Sequence, residues 1–227
     1  MDTVNTALVV LSGGQDSVTC LGIALKRFEK VYTIGFSYGQ KHKIELEQAR
    51  KICDRLCLPF QLMEIPALEE LADSALTTDG DVTKPHHRNS ALPASFVPNR
   101  NALFLTIAHA YAQKIGAEFI YTGVCQTDYS GYPDCRFDFI RRLQVTLNIG
   151  YQTSIKILTP LMYLTKAATF SLAEDAGVLD VVLELSHTCY NGNREDSHAW
   201  GYGCGECPAC VLRAKGYTEY LQKKSFD

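Results

Sequence analysis

The sequence predicts an α/β protein: an open, mostly parallel sheet with helices on both faces, followed by a small C-terminal appendage. Three observations carry this expectation. Short apolar runs alternate with longer amphipathic ones between residues 7 and 176, the pattern of β-α units on a parallel sheet. The first apolar run ends in the Gly-rich turn of "LVVLSGGQDSVTC", which leads into a helical pattern. From about Ser186 the chain changes character and becomes rich in Cys, Gly and His.

The elements follow in order. Residues 7–11 read as a buried strand and 17–28 as a helix, with Val18, Leu21, Ile23, Ala24, Leu25 and Phe28 supplying its apolar faces. A second strand is predicted at 31–36, then a charged amphipathic helix at 41–56 that stops before Pro59. The third strand is 60–65. Residues 67–98 are polar and contain prolines, and read as too irregular for a packed element. Loops of this length usually carry function or move. A helix at 101–115, a strand at 118–122, a helix at 138–149 and a short strand at 155–158 come next. The last predicted helix, 166–176, stops at Gly177. The expected division is a catalytic domain, 1–185, and a C-terminal subdomain, 186–227, packed on it. There is no internal repeat.

The composition narrows the classes. With 46% hydrophobic and 21% charged residues the chain can bury a full core. A net charge of −3 argues against a protein built to hold a long nucleic acid, so no nucleic-acid partner is expected. No apolar run approaches the ~20 residues of a membrane helix, so no membrane partner is expected either. Met1-Asp2-Thr3-Val4-Asn5 has no basic region, so no signal peptide is read and the cytoplasm is the expected compartment. Thiols stay reduced there. The nine cysteines are therefore not read as a disulfide framework.

Ser12-Gly13-Gly14-Gln15-Asp16-Ser17 lies between a predicted strand and a predicted helix, at the carboxyl edge of the sheet, where ligands bind in open α/β folds. The glycines permit tight backbone angles. The helix N-terminus offers free N–H groups to an anion, and Ser12 and Ser17 add hydroxyls. The Gly-Lys-Ser/Thr end of a Walker-A loop is missing. Asp16 would repel phosphates unless it caps the helix or shares Mg²⁺ with them. An ordinary tight turn capped by Asp16 or Ser17 would show the same residues.

In the tail, Cys204-x-x-Cys207-x-x-Cys210 brings three thiolates together along a turn entering a helix, and Cys189 completes a set of four. Four thiolates with no open position suit a structural Zn²⁺. An iron–sulfur cluster is the competing reading, although the ferredoxin continuation is missing. His187 and His198 stand nearby as substitutes for a thiol. His86, His87 and Arg88 form a polar clump to which no role is assigned.

The Ser-Gly-Gly-x-Asp-Ser turn resembles the signature of the PP-loop, or N-type ATP pyrophosphatase, superfamily. "FSYGQKHKIELEQA" (36–49), "VPNRNALFL" (97–105), "GVCQTDYSGYPDCR" (123–136), "LTPLMYLTKAA" (158–168) and the tail "HTCYNG…YGCGECPACVLRAKGY" resemble the 7-cyano-7-deazaguanine synthase family within it. The resemblance spans nearly the whole chain, except about 68–95 and the insert "REDSHAW". It implies an adenine nucleotide alpha-hydrolase-like fold and an ATP-dependent ligase that joins 7-carboxy-7-deazaguanine to ammonia and yields a nitrile. ATP, Mg²⁺ and structural Zn²⁺ are the implied cofactors, and a homodimer the implied assembly.

The resemblance also implies residue roles. Leu11, Ser12, Gly13, Gly14, Gln15, Asp16, Ser17, Val18, Thr19, Cys20 and Leu21 form the nucleotide-binding stretch, with Ser12-Gly13-Gly14 gripping a pyrophosphate. Ser12, Asp16, Ser17, Arg100 and Lys166 are the catalytic candidates, the last two as fixed cations. Tyr38, Tyr132 and Asp134 are the candidates for the deazaguanine pocket, although Tyr132-Pro133 would also serve as a turn and Asp134 as a cap on the following helix. Two other readings remain open: a PP-loop tRNA thiolase using Cys125 and Cys135, and a non-enzymatic ATP-binding zinc module.

Overall fold

The computed structural model describes residues 5–40, 43–66, 68, 74, 84–86, 89–126 and 132–225. The N-terminal residues 1–4, the helix start predicted at 41–42, His87, Arg88, residues 127–131 and most of 67–83 lie outside them. In chain order the elements are β1 (Thr6–Val10), α1 (Gln15–Arg27), β2 (Lys30–Ser37), α2 (Ile44–Arg55) and β3 (Phe60–Glu64). Then come β4 (Pro85–His86), β5 (Asn89–Pro93), α3 (Arg100–Ile115), β6 (Phe119–Tyr121) and, after a 3₁₀ turn at Pro133–Cys135, α4 (Phe137–Tyr151). The chain finishes with β7 (Lys156–Leu158), α5 (Lys166–Asp175), α6 (Leu179–Glu184), β8 (Ser197–His198), β9 (Gly201–Tyr202) and α7 (Pro208–Lys224).

The five strands predicted from the apolar runs form one sheet, in the order β3-β2-β1-β6-β7, with every pair parallel. Side chains along a strand alternate between faces. On β1, Ala7, Val9 and the following Leu11 pack with Val18, Leu21 and Ala24 of α1 and with Phe170 of α5. Leu8 joins the opposite face with Ile34, Leu105 and Ala108. Helices therefore cover both faces, and β1 reads as a continuous apolar run because neither side of it meets water. The chain leaves β1 toward β2 and later returns on the other side as β6. A switch point thus opens beyond the carboxyl end of β1.

The structure corrects several local expectations. Helix α1 starts at Gln15, not at residue 17, because extended Gly14 is the N-cap and no side chain caps it. Neither Asp16 nor Ser17 is the cap. Helix α3 starts at Arg100, behind Asn99 in the left-handed conformation (φ 58°). The segment 67–98 does contain a packed element. Strands β4 and β5 pair antiparallel, and Leu68, Ser95, Phe96 and Val97 are buried. The local reading missed them because their partners are distant: Phe96 packs on Tyr132, and Leu68 and Val97 against Tyr38 and Phe104.

Helix α6 and the length of α7 were also not anticipated. Helix α7 lies along α5, so close that a Cβ on Gly216 would sit 2.4 Å from Lys166 Cβ. Tyr217 and Tyr220 pack around Phe170, with ring centroids 5.1 and 6.0 Å away. Among the described residues, no helix is long and apolar enough to cross a membrane.

Candidate active site

The Gly-rich turn sits at the switch point and is clamped from several directions. Gly13 has φ +91°, and a Cβ there would lie 2.1 Å from the Glu45 carbonyl oxygen on the first turn of α2. Its own carbonyl accepts from the His187 N–H at 2.9 Å. Gly123, after β6, also approaches closely: a Cβ would meet the Asp16 carbonyl carbon at 2.9 Å. Inside the turn, Ser12 Oγ and Ser17 Oγ are 3.2 Å apart, Gly14 N–H donates to Ser12 Oγ, and Ser17 Oγ donates to the Gly14 carbonyl at 2.9 Å. Leu11, Val18, Cys20 and Leu21 are wholly buried, so they anchor the turn from behind. Thr19 is equally buried and donates to the Gln15 carbonyl.

Asp16 and Lys166 meet here from opposite halves of the chain, with Lys166 Nζ 2.5 Å from Asp16 Oδ2. Lys166 is placed by Thr165, whose hydroxyl caps α5 by accepting from Ala168 N–H. The other carboxylate oxygen, Asp16 Oδ1, is buried without a partner. Gln15 Nε2, Gln48 Oε1 and both ring nitrogens of His187 share that condition around the same turn. Each such orphan costs about 1–3 kcal/mol, and clusters of them mark places that a ligand or water completes. The α1 N-terminus, the glycine cradle and these orphans fit a nucleotide polyphosphate with a divalent cation.

A second cluster forms around Arg100. Its Nη1 lies 3.4 Å from Tyr38 Oη. The guanidinium also stands 6.0 Å from the Tyr38 ring centroid and 5.9 Å from that of Tyr132, within cation–π range. Burial works against the Arg100 charge, yet Tyr38, Tyr132 and Asp134 around it hold its pKa above the ordinary arginine value. Tyr132 Oη is 2.7 Å from Ser95 Oγ. Buried Asp134 accepts the Asn101 N–H at 3.0 Å. It thereby caps α3, not the helix that follows it in sequence, because the 3₁₀ turn carries it back against the start of α3.

The structure thus brings Tyr38, Tyr132, Asp134 and Arg100 together, and gathers Ser12, Asp16, Ser17 and Lys166 beside the turn. Glu45 links the two groups. Burial pushes its carboxyl up to about 7, opposed by Arg100 and assisted by Cys189. Tyr190 faces Tyr132, Arg100 and Glu45, and burial raises its hydroxyl pKa. Sequence reasoning missed Glu45, Tyr190, Ser95 and Gln48. Glu45, Gln48 and Tyr190 lay inside matched motifs, and that was the available signal.

In the tail, one sulfur each from Cys189, Cys204, Cys207 and Cys210 lies within 4.8 Å of the others. Backbone N–H groups of Cys204 and Cys207 point at Cys189 Sγ and Cys204 Sγ, at 3.5 and 3.3 Å. A Cβ on Gly203 would fall 2.6 Å from Cys210 Sγ, so only glycine admits this packing. Sulfur hydrogen bonds from Cys207 and Cys210 push the Cys189 thiol down, and the same contacts push those two up. The close grouping of four sulfurs fits a closed four-sulfur metal site, whose ion would take up the thiols as thiolates. Neither histidine joins it. Burial lowers the pKa of His187, while His198 stacks on Trp200 at 4.4 Å and faces the Gly203 carbonyl.

The family described as "Queuosine biosynthesis protein QueC" matches residues 6–221. The chain is 56% identical over 216 residues to a 7-cyano-7-deazaguanine synthase of Wolinella succinogenes, covering 94% of this chain and 93% of that one. It is 54% identical over 218 residues to the synthase of Helicobacter pylori strain Shi470, covering 95% and 96%. Among solved structures, a 4-thiouridine synthetase in complex with RNA and bound ATP has a TM-score of 0.51 at 17% identity, covering 94% of this chain and 53% of that longer one. That is a likeness of fold. With a match along nearly its whole length, the chain belongs to the QueC family of queuosine biosynthesis proteins.

Proposed function

We propose that this protein is an ATP-dependent ligase that converts 7-carboxy-7-deazaguanine and ammonia to 7-cyano-7-deazaguanine. Identity above one half with two synthases of that name, over nearly full length, carries the reading. The geometry supports it, because Glu45 has its backbone carbonyl against Gly13 and its carboxyl within electrostatic reach of Arg100.

The chemistry follows from the substrate. A carboxylate is a poor electrophile. Activation of its oxygen by ATP supplies a leaving group, ammonia displaces it, and an amide results. A second activation, on the amide oxygen, lets that oxygen leave and yields the nitrile. Gly13, Gly14 and the α1 N-terminus hold the pyrophosphate, with Ser12 and Ser17 offering hydroxyls. Asp16 Oδ1 is the oxygen available to Mg²⁺, and Lys166 offsets the remaining charge. Arg100 stabilises negative charge that develops during transfer. Tyr38 and Tyr132 stack on the base, and Asp134 pairs with its 2-amino edge.

The same proposal assigns Zn²⁺ to the four thiolates, as the element that orders residues 186–227 as a subdomain on 1–185. It places the protein in the cytoplasm, without a nucleic-acid partner and as a homodimer. The exposed apolar side chains of Val145, Ile149 and Tyr151 on α4 offer a surface for a second copy.

The test is pyrophosphate release with 7-carboxy-7-deazaguanine and an ammonium salt. Absence of substrate-dependent nucleotide breakdown would overturn the synthase reading. Asp16→Ala should abolish turnover, and a near-normal rate would remove its role. Metal analysis should find zinc, whereas iron with a visible absorption band would replace that assignment. A thiolase would need Cys125 or Cys135, so full activity after both are changed to Ala removes that alternative.

A further inference from the structure

The turn that cradles the polyphosphate is not held by its own strand and helix alone. The chain at residues 187–189 runs behind it. His187 N–H donates to the Gly13 carbonyl at 2.9 Å. A Cβ on Gly14 would lie 3.5 Å from the His187 carbonyl oxygen and 3.6 Å from Thr188 Cγ2, ordinary van der Waals contact. The next residue is Cys189, one of the four clustered thiols. One backbone segment therefore touches the ATP turn with one end and the metal site with the other.

Thr188, in the middle of that segment, is tied to Arg213. Arg213 is 1% exposed and sits one helical turn beyond Cys210 on α7. Its Nη1 donates to Thr188 Oγ1 at 3.3 Å, its Nε to the Trp200 carbonyl at 2.8 Å, and its Nη2 to the Val182 carbonyl at 2.8 Å. Gly201, at φ +111°, makes room for it, since a Cβ there would stand 2.5 Å from Nη2. One guanidinium thus pins α6, the β8–β9 ribbon and the 187–189 segment to the helix that bears Cys210 and starts behind Cys207. Burying a charge against neutral oxygens is expensive, and an apolar side chain would fill the same space. What the guanidinium adds is a rigid plane of donors aimed at three places at once.

We infer that Arg213 is a positioning residue for the ATP turn, acting through Thr188 to carry the order of the cysteine cluster to Gly13 and Gly14. The inference rests on the proposed ATP-dependent activity. It makes the tail part of the nucleotide site and not only a staple for itself. Burial lowers the Arg213 pKa to about 10, which leaves it charged at neutral pH.

The test is ATP affinity by titration calorimetry on the full, metal-loaded chain, without turnover. Thr188→Val removes the acceptor hydroxyl and keeps the volume, and should weaken ATP binding about tenfold. Thr188→Ser should restore it. Arg213→Lys should weaken it at least as much. The KM for ATP should rise in step, with the KM for the carboxylic acid and the metal content unchanged. Wild-type ATP affinity in both Thr188→Val and Arg213→Lys would overturn the inference. So would loss of metal in step with loss of ATP binding, since the residues would then serve the metal site alone. A wild-type chain that binds no ATP would instead remove the functional reading beneath it.

Discussion

The ATP turn and the cysteine cluster are joined by residues 187–189, yet they are built on opposite principles. The turn owes its place to the sheet. Strand β1 delivers it to the switch point, Glu45 and His187 clamp Gly13, and buried Leu11, Val18 and Leu21 anchor it. The cysteine cluster has a core of Cys189, Trp200, Cys207 and Cys210. Its four sulfurs lie within 4.8 Å of one another, an arrangement suited to ligation by one ion. Packing and backbone hydrogen bonds thus place the cradle, whereas the cluster is set apart by a donor set suited to a metal.

Removing the metal should break that contrast most sharply. Cys207→Ser should abolish metal binding and destabilise the fold by roughly 3–5 kcal/mol, a fall in Tm of about 10 °C. Thermal unfolding with metal analysis measures both, and an unchanged Tm would mean that packing alone holds the tail. Gly13→Ala attacks the other region. Its Cβ would collide with the Glu45 carbonyl 2.1 Å away at a φ of +91°. ATP affinity should fall about 100-fold while stability drops by only about 2 kcal/mol. Calorimetry beside thermal unfolding separates the two effects.

Glu45→Gln sharpens the comparison through pH. Burial raises the folded pKa of Glu45 to about 7 from 4.5. The fold therefore favours the protonated acid. This contribution is fully present below the unfolded value and is lost as pH rises through 7. Above pH 7 the wild type should have lost about 2 kcal/mol from this group, which the glutamine variant keeps. Tm should thus fall more steeply from pH 5 to pH 8 in the wild type, and parallel profiles would show that the fold does not hold the proton of half-buried Glu45. The smallest effect should come from Arg55→Ala. Its bonds to Asp180 and Glu184 are 2.8 and 2.5 Å long but lie on the surface, where such pairs contribute little. Tm and ATP affinity should match the wild type, and a clear loss of either would extend the ATP-turn scaffold to this face.

How much could be read beforehand divides along the range of the interactions. The five strands were legible because a buried parallel strand must be apolar on both faces, as Leu8 and Val9 show from opposite sides of β1. The cradle was legible because its residues are consecutive, and the thiol set because Cys204, Cys207 and Cys210 follow at three-residue steps. The alternative reading of Asp134 as a cap on the following helix fails, since its partner Asn101 stands 33 residues earlier. The packed part of 67–98 was misread for the same reason: Phe96 answers to Tyr132 and not to its neighbours.

By itself, then, the sequence pointed to the α/β class, to a Gly-rich turn at Ser12–Gly14 suited to phosphate and to four thiols suited to a metal, because backbone periodicity and ligand spacing are local properties. Only the tertiary structure decided which charges meet there. Lys166 reaches Asp16 across 150 residues, and the Arg100 cluster draws Tyr38 from the connection after β2 and Tyr132 and Asp134 from the one after β6. The segment beside Cys189 became the back wall of the ATP turn. These meetings follow from the strand order, which places the carboxyl ends of distant strands around one switch point.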